Sequence, residues 1–157
     1  MQSALHKLKY RRDMSMGDAI AAAMLPFVQR LNWNIDLVVP VPLGKQRIQE
    51  RGYNQVAMIA KPLAMGLDLQ YSANMLFRRK ETRSQVGLSR EERRTNVQGA
   101  FQAKTGVNGK IVLIMDDVST TGSTLSSGAE ALYTAGAKDV YALTVARALS
   151  HHDLRHV

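Results

Sequence analysis

Two adjacent acids, Asp116 and Asp117, follow the apolar run 112–115 and precede a short segment rich in hydroxyl side chains. Carboxylates that are ionised at neutral pH only accept hydrogen bonds, so the pair suits vicinal hydroxyl groups such as those of a ribose. The segment that follows consists of Ser119, Thr120, Thr121, Gly122, Ser123 and Thr124. An apolar run, two acids and a loop of hydroxyl groups around a glycine together predict a site for a phosphorylated sugar.

The segment 119–124 has the composition of a phosphate site at the start of a helix. The first amides of a helix have no partner within it, and the helix dipole adds partial positive charge there. Gly122 lets the backbone approach an anion closely, and the hydroxyl groups donate hydrogen bonds. The segment lacks the lysine of a Walker A loop and the glycine spacing of a dinucleotide fold, so it is expected to hold one phosphate monoester. The alternative is a turn that caps a helix, with both acids solvated.

The periodicity of apolar residues predicts alternating helices and strands that would position these residues. Helices are expected over residues 16–31, 53–65 and 123–135, and Pro26 should bend or split the first of them. Strands are expected over residues 35–41, 74–79, 110–115 and 139–146. The pattern predicts an open, mainly parallel, twisted α/β sheet flanked by helices. Ligands of such sheets bind outside the carboxyl ends of the strands.

Length and composition indicate one domain over residues 1–157, with a polar tail at 150–157. No apolar stretch approaches the roughly 18 residues that a membrane span needs. The chain contains no cysteine, which excludes disulfides and cysteine-bound metal and agrees with a cytoplasmic location. The net charge of +8 favours anionic partners, either nucleic acid or a phosphorylated small molecule.

Four segments in order resemble the ComF family of type I phosphoribosyltransferase-like, competence-associated proteins. The segment "VLIMDDVSTTGST" is similar to the phosphoribosyl pyrophosphate (PRPP) signature of type I enzymes. The others are "LHKLKYRRDMSMGDAIA", "VVPVPLGKQRIQERGYNQ" and "RRKETRSQVGLSREERRTNVQGAF", and the resemblance spans about residues 5–148. Many ComF proteins carry a cysteine-rich zinc module, so this cysteine-free chain resembles their phosphoribosyltransferase domain alone.

The resemblance implies transfer of a phosphoribosyl group from PRPP to a base or amine, with release of pyrophosphate. The segment 119–124 would hold the 5-phosphate, Asp116 and Asp117 would be catalytic and bind the ribose, and Mg²⁺ would arrive with PRPP near these acids. The residues implied for pyrophosphate are Leu43, Gly44, Lys45, Arg47 and Arg51. A mobile lid over about 78–99 would contribute Arg83, Gln85, Arg93 and Asn96. The alternative for both basic segments is an ordinary solvated surface.

Three functional classes stay open on the sequence. The first is the enzyme, whose acceptor is undetermined because no residue stands out as a general base. The second is a non-catalytic competence-associated module that binds single-stranded DNA, although only 6% of the residues are aromatic and could stack on bases. The third is a regulator that senses PRPP, or another phosphorylated ribose, without turnover. A homodimer is compatible with each class.

Overall fold

The computed structural model describes residues 14–79, 92 and 99–147. The helices that it describes from end to end are α1 (Met14–Arg30), α2 (Lys45–Arg51), α3 (Gln55–Gly66) and α4 (Ser123–Thr134). The strands are β1 (Leu37–Pro40), β2 (Gln70–Tyr71), β3 (Leu76–Arg78), β4 (Phe101–Ala103), β5 (Ile111–Ser119) and β6 (Asp139–Arg147). The predicted polar tail at 150–157 lies outside the described residues.

Four of these strands form a parallel sheet in the order β2-β1-β5-β6. Leu113 of β5 pairs with Val38 of β1 on one side and with Tyr141 of β6 on the other. The short strands β3 and β4 form a separate antiparallel pair. The predicted open, mainly parallel sheet with flanking helices is confirmed, and β5 is one of its two inner strands.

Side chains of β5 are buried on both faces of the sheet. Leu113 and Met115 pack with residues of α1 and α3, while Val112 and Ile114 pack with residues of α4 and of the β3–β4 pair. All four side chains are fully buried. The unbroken apolar run therefore supplies both cores, as expected for a strand covered on both sides.

A glycine lets α4 lie close to β5. A Cβ atom added to Gly128 would stand 2.5 Å from Ile114 Cδ1, a distance that real Cβ contacts do not show. Gly128 and its neighbours Leu125 and Leu132 are buried against the sheet. This packing fixes the start of α4 next to the carboxyl end of β5.

The structure corrects three of the predicted elements. Pro26 does not split α1, which continues from Met14 to Arg30. Proline has no amide hydrogen, so the Ala22 carbonyl loses its donor within the helix. Both residues are exposed, so water can bond to this carbonyl instead. The basic segment after β1 contains the helix α2. The strand predicted at 110–115 continues to Ser119, since β6 pairs with it that far.

Across the described part of the chain, no helix combines the length and the apolar character needed to cross a membrane.

Candidate functional site

A concavity lies where β5 passes into α4. It is lined by Asp116 and by the consecutive residues 118–125, and it measures about 200 Å³ with its open mouth included. The lining contains every residue of the predicted phosphate segment, 119–124, together with the first of the two acids. The fold therefore brings these predicted residues to one surface depression at the carboxyl edge of the sheet.

The backbone of the phosphate segment turns at Gly122, whose φ of 78° lies in the left-handed region. Glycine adopts this conformation without the steric cost of a side chain. Gly122 directly precedes α4 and has no side chain with which to cap its amides. The Ser123 amide makes a long contact of 3.4 Å with Thr121 Oγ1, and the two hydroxyl groups are 2.9 Å apart. The first turn of α4 thus lines the concavity with groups that favour an anion.

The two acids lie in different surroundings because β5 continues through both of them and successive side chains of a strand alternate. Asp116 is half-buried and lines the concavity. Asp117 is 8% exposed, and its Oδ1 accepts a hydrogen bond from the Val118 amide at 2.8 Å. Its Oδ2 accepts a second one from Gln55 Nε2 at 3.1 Å. The sequence predicts one role for both acids. In the structure, the Asp116 carboxyl group lines the concavity, whereas that of Asp117 is buried.

Burial, followed by repulsion from the neighbouring Asp117 carboxylate, raises the pKa of Asp116 from 3.8 to about 7. The Asp117 amide, which donates to Asp116 Oδ1 at 2.9 Å, and the positive charge of Arg78 act in the opposite direction. Ionising Asp116 at neutral pH therefore costs free energy. A cation or a set of hydroxyl groups bound at this carboxylate would favour its ionised form.

The loop after β1 lies beside the end of β5, since the Val41 amide donates to the Met115 carbonyl at 2.8 Å. Asn54 ties this loop to α3: its Nδ2 donates to the Val41 carbonyl at 2.9 Å, and its Oδ1 accepts the Val56 amide. The helix α2 follows the loop, and none of its residues is buried. The residues predicted for pyrophosphate, which are Leu43, Gly44, Lys45, Arg47 and Arg51, all lie on this loop and helix.

Gln55 connects α2 with the acids, a contact that the sequence did not reveal. Its side chain is 3% exposed, its Oε1 accepts from Arg51 Nη1 at 3.2 Å, and its Nε2 donates to Asp117. The spacing of four residues between Arg51 and Gln55 was visible in the sequence. The contact with Asp117 crosses 62 positions of the chain and depends on the fold.

Arg78 is a second residue of the site that sequence reasoning missed. Its Nε donates to the Pro42 carbonyl at 3.0 Å, and its guanidinium carbon lies 4.8 Å from the centre of the Phe101 ring. Its charge lowers the pKa of Asp116. Strand alternation could have hinted that Arg78 and Arg79 face opposite sides, but the short run gave no reason to choose between them.

The predicted lid residues, which are Arg83, Gln85, Arg93 and Asn96, lie outside the described residues. Within residues 14–79, 92 and 99–147, no group of three His, Cys, Asp or Glu side chains could hold a metal ion. Asp116 nevertheless offers carboxylate oxygen at the concavity, and Mg²⁺ is commonly held by one or two carboxylates together with substrate phosphates. The residues present fit a magnesium ion that arrives with a phosphorylated ligand.

Comparison with known proteins gives matches over most of the chain. The family model of the phosphoribosyl transferase domain matches residues 9–155. The "DNA utilization protein YhgH" of Escherichia coli O157:H7 is 33% identical over 150 residues, which cover 92% of this chain and 66% of that protein. The "Competence protein F" of Haemophilus influenzae is 36% identical over 116 residues, covering 72% and 51% of the two chains. The chain thus spans less than two thirds of these relatives.

A solved structure supports the fold assignment. The glutamine PRPP amidotransferase of B. subtilis, complexed with ADP and GMP, superposes with a TM-score of 0.59 at 20% sequence identity. The superposition covers 88% of this chain and 30% of the amidotransferase. At this identity the likeness concerns the fold alone.

Proposed function

The chain belongs to the phosphoribosyl transferase domain family, and from that premise we propose that it binds PRPP with Mg²⁺ and transfers the phosphoribosyl group to an acceptor nitrogen. The resemblance to ComF proteins is confirmed by the family match and by the relatives named for competence and DNA utilisation. The observation that carries the proposal is the concavity, which unites an acid with an anion-favouring helix start.

The 5-phosphate would bind at residues 119–124. The left-handed Gly122 keeps the backbone open to a close approach, and Thr121 and Ser123 supply hydroxyl donors. The helix start adds partial positive charge without any cation in the segment. These features suit a phosphate monoester at the end of a sugar.

The ribose and diphosphate would extend from there toward the loop after β1. Asp116 lines the concavity next to the phosphate segment, which suits a contact with ribose hydroxyl groups. The groups proposed for the diphosphate are the backbone of Leu43 and Gly44 and the cations Lys45, Arg47 and Arg51. The bond between Val41 and Met115 keeps this loop at the same edge of the sheet.

In the proposed reaction the acceptor nitrogen forms a bond to C1 of the ribose while the bond from C1 to the diphosphate oxygen breaks. Pyrophosphate leaves with the electron pair, and the acceptor nitrogen loses its proton to solvent. Magnesium bound to the diphosphate would offset its negative charge. The carboxylates of the site would stabilise the positive charge that develops on the ribose, so the chain contributes mainly position and electrostatics.

The direct test is isothermal titration of the chain with PRPP and Mg²⁺. We expect the wild type to bind, and the double variant Thr121→Val/Ser123→Ala to bind at least about tenfold more weakly, because each hydroxyl contributes a hydrogen bond to a charged phosphate. The control is Thr134→Val at the exposed far end of α4, which should bind like the wild type. Equal affinity of the loop variant and the wild type would overturn the proposed site.

Turnover is tested separately by pyrophosphate release with a panel of nucleobases and amines. Release with one acceptor class would identify the enzyme and its substrate. Binding of PRPP without release across the panel would replace the enzyme with a PRPP-sensing regulator.

The names of the relatives and the net charge of +8 favour a second candidate, a module that binds single-stranded DNA. Its affinity should fall steeply with salt, because cations that neutralise phosphates release counterions. Fluorescence anisotropy with a labelled single strand at two salt concentrations measures this. Salt-sensitive binding that Thr121→Val/Ser123→Ala leaves unchanged, in a chain that does not bind PRPP, would favour this candidate.

A further inference from the structure

We infer that Gln55 is a positioning residue that keeps Asp117 turned into the protein and leaves Asp116 as the carboxylate that meets the ligand. The inference rests on the proposed function and refines it. The resemblance assigns the same role to both acids, whereas the contacts of Gln55 divide that role between a ligand-facing carboxylate and a supporting one.

The side-chain amide of Gln55 lies between opposite charges. Its Nε2 donates to Asp117 Oδ2 at 3.1 Å, and its Oε1 accepts from Arg51 Nη1 at 3.2 Å. A guanidinium only donates and a carboxylate only accepts, so this orientation of the amide satisfies both neighbours. If the amide were flipped, its NH₂ group would face the Arg51 guanidinium and its oxygen would face the Asp117 carboxylate, which is unfavourable on both sides. The two charges therefore fix the orientation of the amide.

The backbone at both ends of this contact is also fixed. Gln55 is the first residue of α3, and the Asn54 side chain, which accepts the Val56 amide, caps that helix. Asp117 lies within β5, and its carbonyl accepts a hydrogen bond from Thr144 of the adjacent strand. A buried hydrogen bond between two fixed elements holds a side chain in one position, which is what a binding site requires of its supporting residues.

The consequence for Asp117 is that both of its carboxylate oxygens already accept hydrogen bonds from the protein, from Val118 and from Gln55. Asp117 is also absent from the lining of the concavity, where Asp116 is present. Asp117 thus acts through its neighbours. Its backbone amide donates to Asp116 Oδ1 at 2.9 Å, so the place of Asp117 in β5 sets the position of the Asp116 carboxyl group.

Two substitutions at Gln55 separate the amide contact from simple filling of space. Gln55→Met keeps the approximate size and removes both hydrogen bonds. Gln55→Glu keeps an acceptor for Arg51 but sets a carboxylate against Asp117. Because repulsion displaces Asp117 more than loss of one donor does, we expect PRPP affinity to fall about tenfold in Gln55→Met and further in Gln55→Glu. If Gln55 only filled space, both variants would keep the PRPP affinity of the wild type, because both side chains are similar in size to glutamine.

Gln70 provides the matched control. It is an exposed glutamine whose Oε1 accepts from Lys110 Nζ at 2.7 Å, so it has the same kind of cationic partner. It pairs with Leu37 at the amino end of the sheet, away from the concavity. Gln70→Met and Gln70→Glu should both bind PRPP like the wild type.

Combined variants test the division of roles. In the Gln55→Met background, Asp117→Asn should cause little further loss of PRPP affinity, because the two residues act through one contact. Asp116→Asn should still cause a clear further loss in that background, because Asp116 itself meets the ligand. Independent losses for Asp117 and Gln55, or a Gln55→Met variant that binds like the wild type, would overturn the inference.

A ligand-free measurement separates this inference from the proposed function. The shifts of the urea unfolding midpoint are compared for Gln55→Met, Asp117→Leu and the combined variant. The combined shift should be smaller than the sum of the two single shifts, whether or not PRPP binds. If the wild type does not bind PRPP, the proposed function is wrong, but that result does not test the contact between Gln55 and Asp117. Additive shifts in this cycle would show that the two residues do not interact, and would overturn the inference.

Discussion

The ends of β5 and β1 meet at one edge of the sheet, yet they differ in how they hold charge. Within the last residues of β5, the acids are half-buried or buried, and α4 is packed against the strand through Gly128. After β1, the helix α2 carries Lys45 and Arg47 exposed and Arg51 half-buried, and none of its residues is fully buried. The first region is packed against the core and its Asp116 carboxyl group is costly to ionise, whereas the second is mostly exposed, as Lys45 and Arg47 show.

This difference indicates how the two regions would contribute to binding. Groups held in place before the ligand arrives lose little entropy on binding, so the β5 end is suited to fix the position of the ligand. An exposed helix with few buried contacts can shift locally at low free-energy cost, so α2 is suited to adjust to a charged group. The comparison predicts that substitutions at the two ends change different measurable quantities.

The largest expected effect concerns the pH dependence of stability at the β5 end. Burial and repulsion by Asp117 raise the pKa of Asp116 to about 7 in the folded chain, against 3.8 for the free side chain. The stability associated with the protonated form is therefore complete below about pH 4 and is lost as pH rises through about 7. At about 1.4 kcal/mol per pKa unit, the loss between pH 4 and pH 8 is on the order of 2–4 kcal/mol.

Urea unfolding at pH 4.5, 6 and 8 measures this effect as the difference between the wild type and Asp116→Asn. The free energy of unfolding of the wild type should decrease relative to the variant as pH rises. The matched control is Asp68→Asn at an exposed position with φ of 56°, which asparagine also tolerates. Parallel pH profiles of the wild type and Asp116→Asn would show that ionising Asp116 does not cost free energy of folding. The contrast between the two regions would then disappear.

An intermediate effect is expected at Arg78, which bonds to the β1 loop and acts electrostatically on Asp116 at the end of β5. Its Nε bonds to the Pro42 carbonyl of the β1 loop, and its charge lowers the pKa of Asp116. Arg78→Met should raise the pKa of Asp116 further, so the fall in stability should move to higher pH. The same urea series measures the displacement.

Arg79 is the matched control for Arg78. It is the next residue of the chain, is exposed, and contributes its backbone amide to the Ala100 carbonyl. Arg79→Met should leave the pH profile in place. Arg78→Lys keeps the charge but loses the planar group that lies over Phe101, and its profile should lie between those of the wild type and Arg78→Met. Equal displacement by Arg78→Met and Arg79→Met would mean that charge in general, not this contact, acts on Asp116.

The sequence predicted those parts of the fold that depend on local pattern. The strand expected at 110–115 is confirmed, and the lack of alternation in its apolar run agrees with its burial on both faces of the sheet. The continuation of β5 to Ser119 was missed, because residues 116–119 are polar and their strand conformation comes from pairing with β6. The helix α2 was missed for a related reason, since it has no buried face that would give it a periodic pattern.

The candidate site was predictable as a set of residues but not as an arrangement. Spacing alone grouped Asp116 with the segment 119–124, and the fold brings them to one concavity. It could not show that the side chains of Asp116 and Asp117 lie on opposite faces of the sheet, because this requires β5 to continue through both residues. It could not reveal the contact of Gln55 with Asp117 or that of Arg78 with Pro42, because both partners meet only when distant strands and helices pack.

The smallest effect on stability is expected at the β1 end, and it sharpens the comparison most directly. Lys45 and Arg47 are exposed on α2, so Lys45→Gln and Arg47→Gln should each change the free energy of unfolding by no more than about 0.5 kcal/mol at any pH. Each substitution should instead lower the affinity for PRPP several-fold. This loss should be smaller at high salt, because salt screens exposed charges. Titrations at low and high ionic strength measure this, with Lys61→Gln on the exposed side of α3 as the control. A salt-independent loss, or a loss accompanied by lower stability, would mean that these cations are structural and that α2 is as rigidly built into the site as the end of β5.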